Sequence, residues 1–286
     1  METVLSSATK RVVISGGSPF VMIGERINPT GRKLLGAEMK AGLTERIKAD
    51  AMLQVQSGAT VLDVNAGVPG TDEAALLVAT VRAVMQVTDV PLCLDSSDLG
   101  ALEAALADYP GKALVNSVTA EDDRMDRILP LVARHGAAVI AMANDDTGIS
   151  MVPRERLEIA RRIVGRAEDY GIAPQDVIID PIAMTVAADP QSVLVTLETM
   201  RLIQAEMGNN MICGASNISF GLPLRPSLNA AFIPLASAVG LTCAITNPLI
   251  SEIRTAALAA DLLLGRDEYA MRWIADYRAH LPGAVG

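Results

Sequence analysis

Between residues 20 and 264 the chain repeats one pattern: a short aliphatic run, a few small or polar residues, then a longer stretch with apolar positions at helical spacing. The aliphatic runs are 20–24, 60–65, 90–94, 113–115, 137–142, 176–179, 211–213 and 242–245. Strands that alternate with helices lie parallel, because the chain must cross back over the sheet between them. Eight such units at roughly 30-residue spacing predict an α/β fold of the closed (β/α)8 TIM-barrel type. An open doubly wound sheet is disfavoured, since no glycine-rich phosphate fingerprint and no Walker lysine loop follows any strand. No linker or shift of composition divides the chain. Residues 1–286 therefore read as one domain with its core at about 20–264, a ragged start over 1–18 and a tail over 265–286 packed on the outside.

Composition fits buried parallel strands. Half of the residues are hydrophobic but only 3% are aromatic, so the core must be aliphatic. The net charge of −9 argues against nucleic acid and against an anionic membrane surface, both of which need a positive field. No signal-type segment opens the chain, and no uninterrupted apolar stretch reaches the roughly 20 residues of a membrane span. The chain reads as a cytoplasmic protein. Cys93, Cys213 and Cys243 sit in apolar runs without CxxC spacing and read as buried reduced thiols rather than metal ligands.

In such a barrel the carboxyl ends of the strands carry function. Here they carry Glu25 and Asn28, Asp63 and Asn65, Asp95 and Ser96, Asn116, Asn144 and Asp145, Asp180, Asn217 and Ser219, and Asn247. Any one of these types also suits a helix cap or a turn. Together they form a mouth of acids and amides with few cations. Carboxylates accept hydrogen bonds, and amides both donate and accept. The complementary ligand is a planar heterocycle with a guanidine-like edge and a carbonyl, such as a pterin. Phosphate would call for a basic cluster instead. Of the two histidines, His135 closes a helix before Gly136 and His280 lies in the tail, so neither suits a triad or a metal site. No lysine lies inside a central strand, which leaves no Schiff-base nucleophile.

Six segments occur in order: Gly24-Glu25-Arg26-Ile27-Asn28-Pro29-Thr30-Gly31, Leu62-Asp63-Val64-Asn65, Cys93-Leu94-Asp95-Ser96, Val115-Asn116-Ser117, Ile179-Asp180-Pro181 and Ser216-Asn217-Ile218-Ser219-Phe220-Gly221-Leu222-Pro223. Over residues 21–264 the chain resembles the pterin-binding barrel of the methyltetrahydrofolate–corrinoid methyltransferases, and is similar to the folate module of cobalamin-dependent methionine synthase. The resemblance implies an enzyme that moves a methyl group between N5 of 5-methyltetrahydrofolate and the cobalt of a corrinoid. It implies that Asp95, Asn116 and Asp180 bind the ring edge, that Asp63 and Asn65 support the pocket floor or the ring, and that Asn217 acts near N5. Glu25, Asn28, Ser96 and Ser219 complete the expected pterin site. No cobalamin-binding motif is present, so cobalamin is expected on a separate corrinoid protein.

Dihydropteroate synthase shares the pterin aspartates, but the Ser-Arg-Lys type segment it needs after the seventh strand is here Ser216-Asn217-Ile218. A synthase of that type and a non-catalytic folate-binding protein are the alternatives. A homodimer is expected. Arg26, Arg32, Lys33 and Arg225 read equally as a docking surface, as solvated charges, or as contacts to a folate glutamate tail.

Overall fold

The chain opens with two strands, β1 (Glu2–Ser6) and β2 (Arg11–Ser15), paired antiparallel with Glu2 opposite Ser15. Seven more follow: β3 (Val21–Ile27), β4 (Val61–Asn65), β5 (Leu92–Asp95), β6 (Leu114–Val118), β7 (Ala138–Met142), β8 (Val177–Asp180) and β9 (Cys243–Thr246). This is a computed structural model, and it describes residues 1–279. His280 and the end of the expected tail lie outside the described residues.

The seven strands form one parallel sheet in the order β8-β7-β6-β5-β4-β3-β9. Its two edges are joined by residues 210–214. Ile212 N donates to Ile179 O at 2.9 Å, and Ile245 N donates to Cys213 O at 3.0 Å. The curled sheet thus closes as a (β/α)8 barrel. The run at 211–213 makes single bridges, Met211 to Ile179 and Gly214 to Ile245, rather than a ladder. It is too short to pair further, because a 3-10 turn begins at once, Ala215–Ser219.

Ten helices accompany the strands among the described residues: α1 (Lys33–Lys40), α2 (Glu45–Gln56), α3 (Glu73–Met85), α4 (Leu99–Asp108), α5 (Asp122–His135), α6 (Pro153–Asp169), α7 (Ser192–Glu206), α8 (Arg225–Ala238), α9 (Ser251–Leu263) and α10 (Met271–Ala279). Local chemistry sets their ends. Asp72 accepts from Ala75 N at 3.1 Å and Asp98 from Ala101 N at 2.8 Å, each satisfying a first-turn donor. Gly136 closes α5 at φ 59°. The helix α1 was not foreseen, although Leu35 and Met39 bury one face at i, i+4 spacing.

Two apolar layers result. One packs the helices on the outside of the sheet. The other fills the barrel with Val21, Ile23, Val61, Cys93, Leu114, Ala138, Ile140, Ile178, Ile212 and Cys243, and takes Leu5 and Ile14 from the hairpin. The ragged start expected over 1–18 is therefore corrected: β1 and β2 form a stopper on the barrel floor. Thr3 and Leu5 are buried, with Val4 between them better exposed, the period of a strand with one covered face. Ser6 N donates to Lys112 O at 3.0 Å and Tyr109 Oη donates to Ser6 O at 3.1 Å. The helix α10 is tied back by Arg272 to Asp261 at 2.5 Å and by Arg254 to Asp276 at 3.0 Å. All three cysteines are free and buried, and no described helix is long and apolar enough to cross a membrane.

The stopper is tested at Gly111, where an added Cβ would lie 2.0 Å from Ser6 O. Backbone cannot yield as a flexible side chain can. Gly111→Ala is expected to lower unfolding free energy by about 2–4 kcal/mol in urea titration.

Candidate functional site: an acid and amide floor at the barrel mouth

Asn65, Asp95 and Asn116 are register partners on β4, β5 and β6, so they form a row across the carboxyl ends of three adjacent strands. Asp63 lies one layer deeper, on the same face of β4 as Asn65. Asn116 Nδ2 donates to Asp63 Oδ1 at 3.2 Å, and Asn65 Nδ2 donates to Asp95 Oδ2 at 3.0 Å. Asn65 Oδ1 accepts from Gly67 N at 2.9 Å, which orients the amide. Two acids and two amides therefore meet as a bonded set.

Their acidity follows from burial. Desolvation holds the Asp63 carboxyl well above the usual range, and the nearby Asp95 adds to the shift, while bonds from the Cys93 thiol and Asn116 oppose it. Burial also raises Asp95, against the bond from Asn65. Glu25, near the end of β3, is raised by burial too, and Ser216 Oγ opposes this by donating to both its oxygens at 3.2 and 3.3 Å. Gly24, just before it, makes room for a buried amide from α2. A Cβ there would lie 2.5 Å from Gln54 Oε1, which accepts from Arg26 N at 2.8 Å.

Asp180 ends β8, two strands beyond Asn116. Burial pushes its carboxyl up to about 7, against a bond from Ile182 N at 2.7 Å and the charge of Arg156. Asn217 sits on the 3-10 turn after the barrel-closing segment with its side chain exposed. Its amide nitrogen rests over Gly214, where a Cβ would come within 2.9 Å of it. The mouth thus offers acceptors on one wall, an acid on another, and an exposed amide above.

The sequence profile of the pterin binding enzymes matches residues 24–247, from the glycine before Glu25 to the end of the last strand. The chain belongs to the pterin-binding enzymes. Among curated relatives, the methylcorrinoid:tetrahydrofolate methyltransferase of Eubacterium limosum is 31% identical over 93% of this chain and 99% of its own length. Methionine synthase of Mycobacterium leprae is 29% identical over 93% of this chain but only 24% of its own. Among solved structures, dihydropteroate synthase of Xanthomonas albilineans with 4-aminobenzoic acid superposes with a TM-score of 0.69 at 19% identity, over 92% of this chain and 98% of that one. At that identity the likeness shows the fold alone.

Within this pterin-binding barrel, the predicted residues divide. Glu25, Asp63, Asn65, Asp95, Asn116, Asp180 and Asn217 stand around the mouth. Three others are engaged locally. Asn28 accepts from Thr30 N at 2.9 Å in its own turn. Ser96 donates to Glu73 and accepts from Asp98 N at 3.0 Å, at the entry to α4. Ser219 is buried between Asn229 at 2.7 Å and Arg225 Nε at 3.1 Å. Of the four cations, Arg32 pairs with Asp50 at 2.7 Å, and Arg225 donates to Ser216 O at 2.9 Å and stacks on Phe220. Sequence reasoning missed Ser216 and Gln54. Ser216 shows only as a hydroxyl beside Asn217, and Gln54 resembles any helix glutamine until its burial is known.

The Asp180 shift fixes a pH dependence. The ordinary value is 3.8 and the folded value about 7, so between them the folded protein keeps a proton that the unfolded chain has released. Stability falls as pH rises through that window, by about 1.4 kcal/mol per unit. Asn stays neutral at every pH. Asp180→Asn is expected to stabilise the free protein by an amount that grows from pH 4 to pH 7, read by urea unfolding across that range.

Proposed function

We propose that this enzyme transfers a methyl group between N5 of 5-methyltetrahydrofolate and the cobalt of a corrinoid carried by a separate protein. The full-length similarity to a methylcorrinoid:tetrahydrofolate methyltransferase carries the reading, and the mouth chemistry supports it. The 2-amino and ring N–H groups of a pterin donate to Asp95 and Asp180. Asn116 is held to Asp63, leaving its carbonyl oxygen toward the ring edge, and Asn65 holds Asp95 in place. Binding such donors favours ionised carboxylates, so protons leave as the ring enters.

Reaction at N5 needs help, because a neutral tertiary amine is a poor leaving group. A hydrogen bond that strengthens as the N5–methyl bond breaks lowers the barrier. Asn217 supplies that bond from the exposed turn. An amide is not a proton donor of useful acidity, so the proton at N5 comes from solvent. The reverse direction, from methylcorrinoid to tetrahydrofolate, uses the same groups.

The cobalt must approach from the open side of the barrel, where Phe220 and Leu224 are exposed beside Asn217. A homodimer is part of the same proposal. No charged residue occurs between Arg225 and Glu252, and α8 exposes Leu228 and Leu235 on its outer side. An uncharged face lets two acidic copies meet without repulsion.

The test follows methyl exchange between methyltetrahydrofolate and cob(I)alamin by absorbance. Asn217→Ala is expected to slow transfer about 100-fold with folate affinity little changed. Asp180→Ala is expected to weaken binding by about 1.5–3 kcal/mol. No exchange in the wild type, with condensation of a pterin and p-aminobenzoate instead, would support the synthase alternative.

A further inference from the structure

Arg156 is the largest fully buried side chain of the barrel and has 0% exposure. Among the described residues it forms no ion pair. Its Nε donates to Ser150 O at 2.6 Å, in the loop after β7. Its Nη1 donates to Pro181 O at 2.6 Å and to Ile182 O at 2.8 Å, in the loop after β8. Its Nη2 lies against the sulfurs of Met151 and Met184 at 3.9 and 3.7 Å. A buried cation without a carboxylate partner is costly, and a well-packed apolar side chain in its place would often stabilise.

The backbone it grips is unusual. Ile182 has φ 64°, a left-handed conformation that β-branched residues avoid. Three hydrogen bonds hold the loop there, two from one guanidinium nitrogen and one from Thr196 Oγ1, which reaches Ile182 O at 3.0 Å. In this conformation Ile182 N points back at Asp180 Oδ1, 2.7 Å away. That bond occupies one carboxylate oxygen and leaves Oδ2 for a ligand.

We propose that Arg156 is a positioning residue for the pterin site: by clamping Pro181 and Ile182 it aims Asp180, and its charge supports the ionised carboxylate when a donor edge binds. The proposal rests on the reading of Asp180 as a ligand-binding acid. Among the described residues, other titratable groups face Asp180 only from the closing segment and β9. These are the Cys213 and Cys243 thiols, both held far above their ordinary range by burial and so uncharged. From the neighbouring strand β7 the register partner is Met142, which does not titrate. Among the described residues Arg156 is thus the one charge that tunes Asp180 from its own surroundings, and the arginine is in turn held below its usual basicity by burial. No step of the methyl transfer passes through it.

The experiment measures methyltetrahydrofolate affinity of the full chain by calorimetry from pH 5.5 to 9, together with a carbon-13 NMR titration of the Asp180 carboxyl in the unliganded protein. In the wild type both should break near pH 7. Arg156→Met is expected to raise the Asp180 midpoint by about one unit and weaken binding about tenfold or more at pH 7, with turnover at saturating folate within a few-fold of wild type. Arg156→Lys keeps a charge but, with a single ammonium, cannot hold Ser150 O and the Pro181 and Ile182 carbonyls at once, and should leave the midpoint near wild type while still weakening binding; it also serves if the methionine variant fails to fold. Thr196→Val, which removes a bond but no charge, should weaken binding without moving the midpoint. An unmoved midpoint in Arg156→Met, or in Arg156→Lys affinity equal to wild type, would overturn the proposal. A wild type that binds no reduced folate, yet titrates with an Arg156-dependent Asp180, would sink the functional reading and leave the clamp standing.

Discussion

A carboxyl group buried in an aliphatic barrel is the constraint from which the rest of this site follows. Asp63 sits 3% exposed on β4, one layer beneath Asn65, where water cannot solvate its charge. Two neighbours, the Asn116 amide and the Cys93 thiol, make the position tolerable, together with a raised proton affinity that lets the group stay neutral. Once Asn116 is tied down to Asp63, its remaining polar edge has one direction left. Asp95 is fixed in the same way by Asn65, whose other end is anchored to Gly67 N. The array is stiff before any ligand arrives, so little ordering remains to be done on binding. Such preorganisation lowers the stability of the empty protein in exchange for recognition.

The other half of the site is built differently. Around β4 to β6 the polar groups stand on strands paired in register, with a cis peptide bond after Asn116, whereas Asp180 and Asn217 depend on the backbone that follows a strand end. Asp180 is aimed by a left-handed isoleucine, and Asn217 by a 3-10 turn that starts as soon as the barrel closes. Gly214 permits that closure, because any side chain there would displace the Asn217 amide. A ring edge needs fixed acceptors, and the clamp on Pro181 and Ile182 fixes Asp180 as the strand pairing fixes Asp95. A methyl group leaving N5 needs a donor that can follow it, and that part falls to Asn217 on its exposed turn.

Much of this architecture is readable in one dimension. The eight aliphatic runs and the acids and amides at their ends follow from local spacing. Their collection at one end of the molecule follows as well, since parallel strands share a direction. Less legible were the features made by distant partners. The hairpin at residues 2–15 lacks a following helix, so nothing in the repeat announces it, and only the barrel interior gives Leu5 and Ile14 a place to be buried. Ser96 and Ser219 carry the right chemistry at the right ends of strands. The chain turns both hydroxyls to local bonds because a helix entry and a partly buried arginine were closer.

By itself, then, the sequence determined the periodicity, the aliphatic core, the order of the mouth residues and the acidic net charge. Those properties depend on neighbours along the chain or on composition, and no long-range geometry alters them. Only the tertiary structure decided which oxygen of each acid is occupied, how far burial raises its proton affinity, and that a cation on α6 grips the loop behind Asp180. Those depend on groups far apart in the chain, such as Arg156 and the two loop residues 25 and 26 positions beyond it, and their contact exists only once the barrel has closed and water has left.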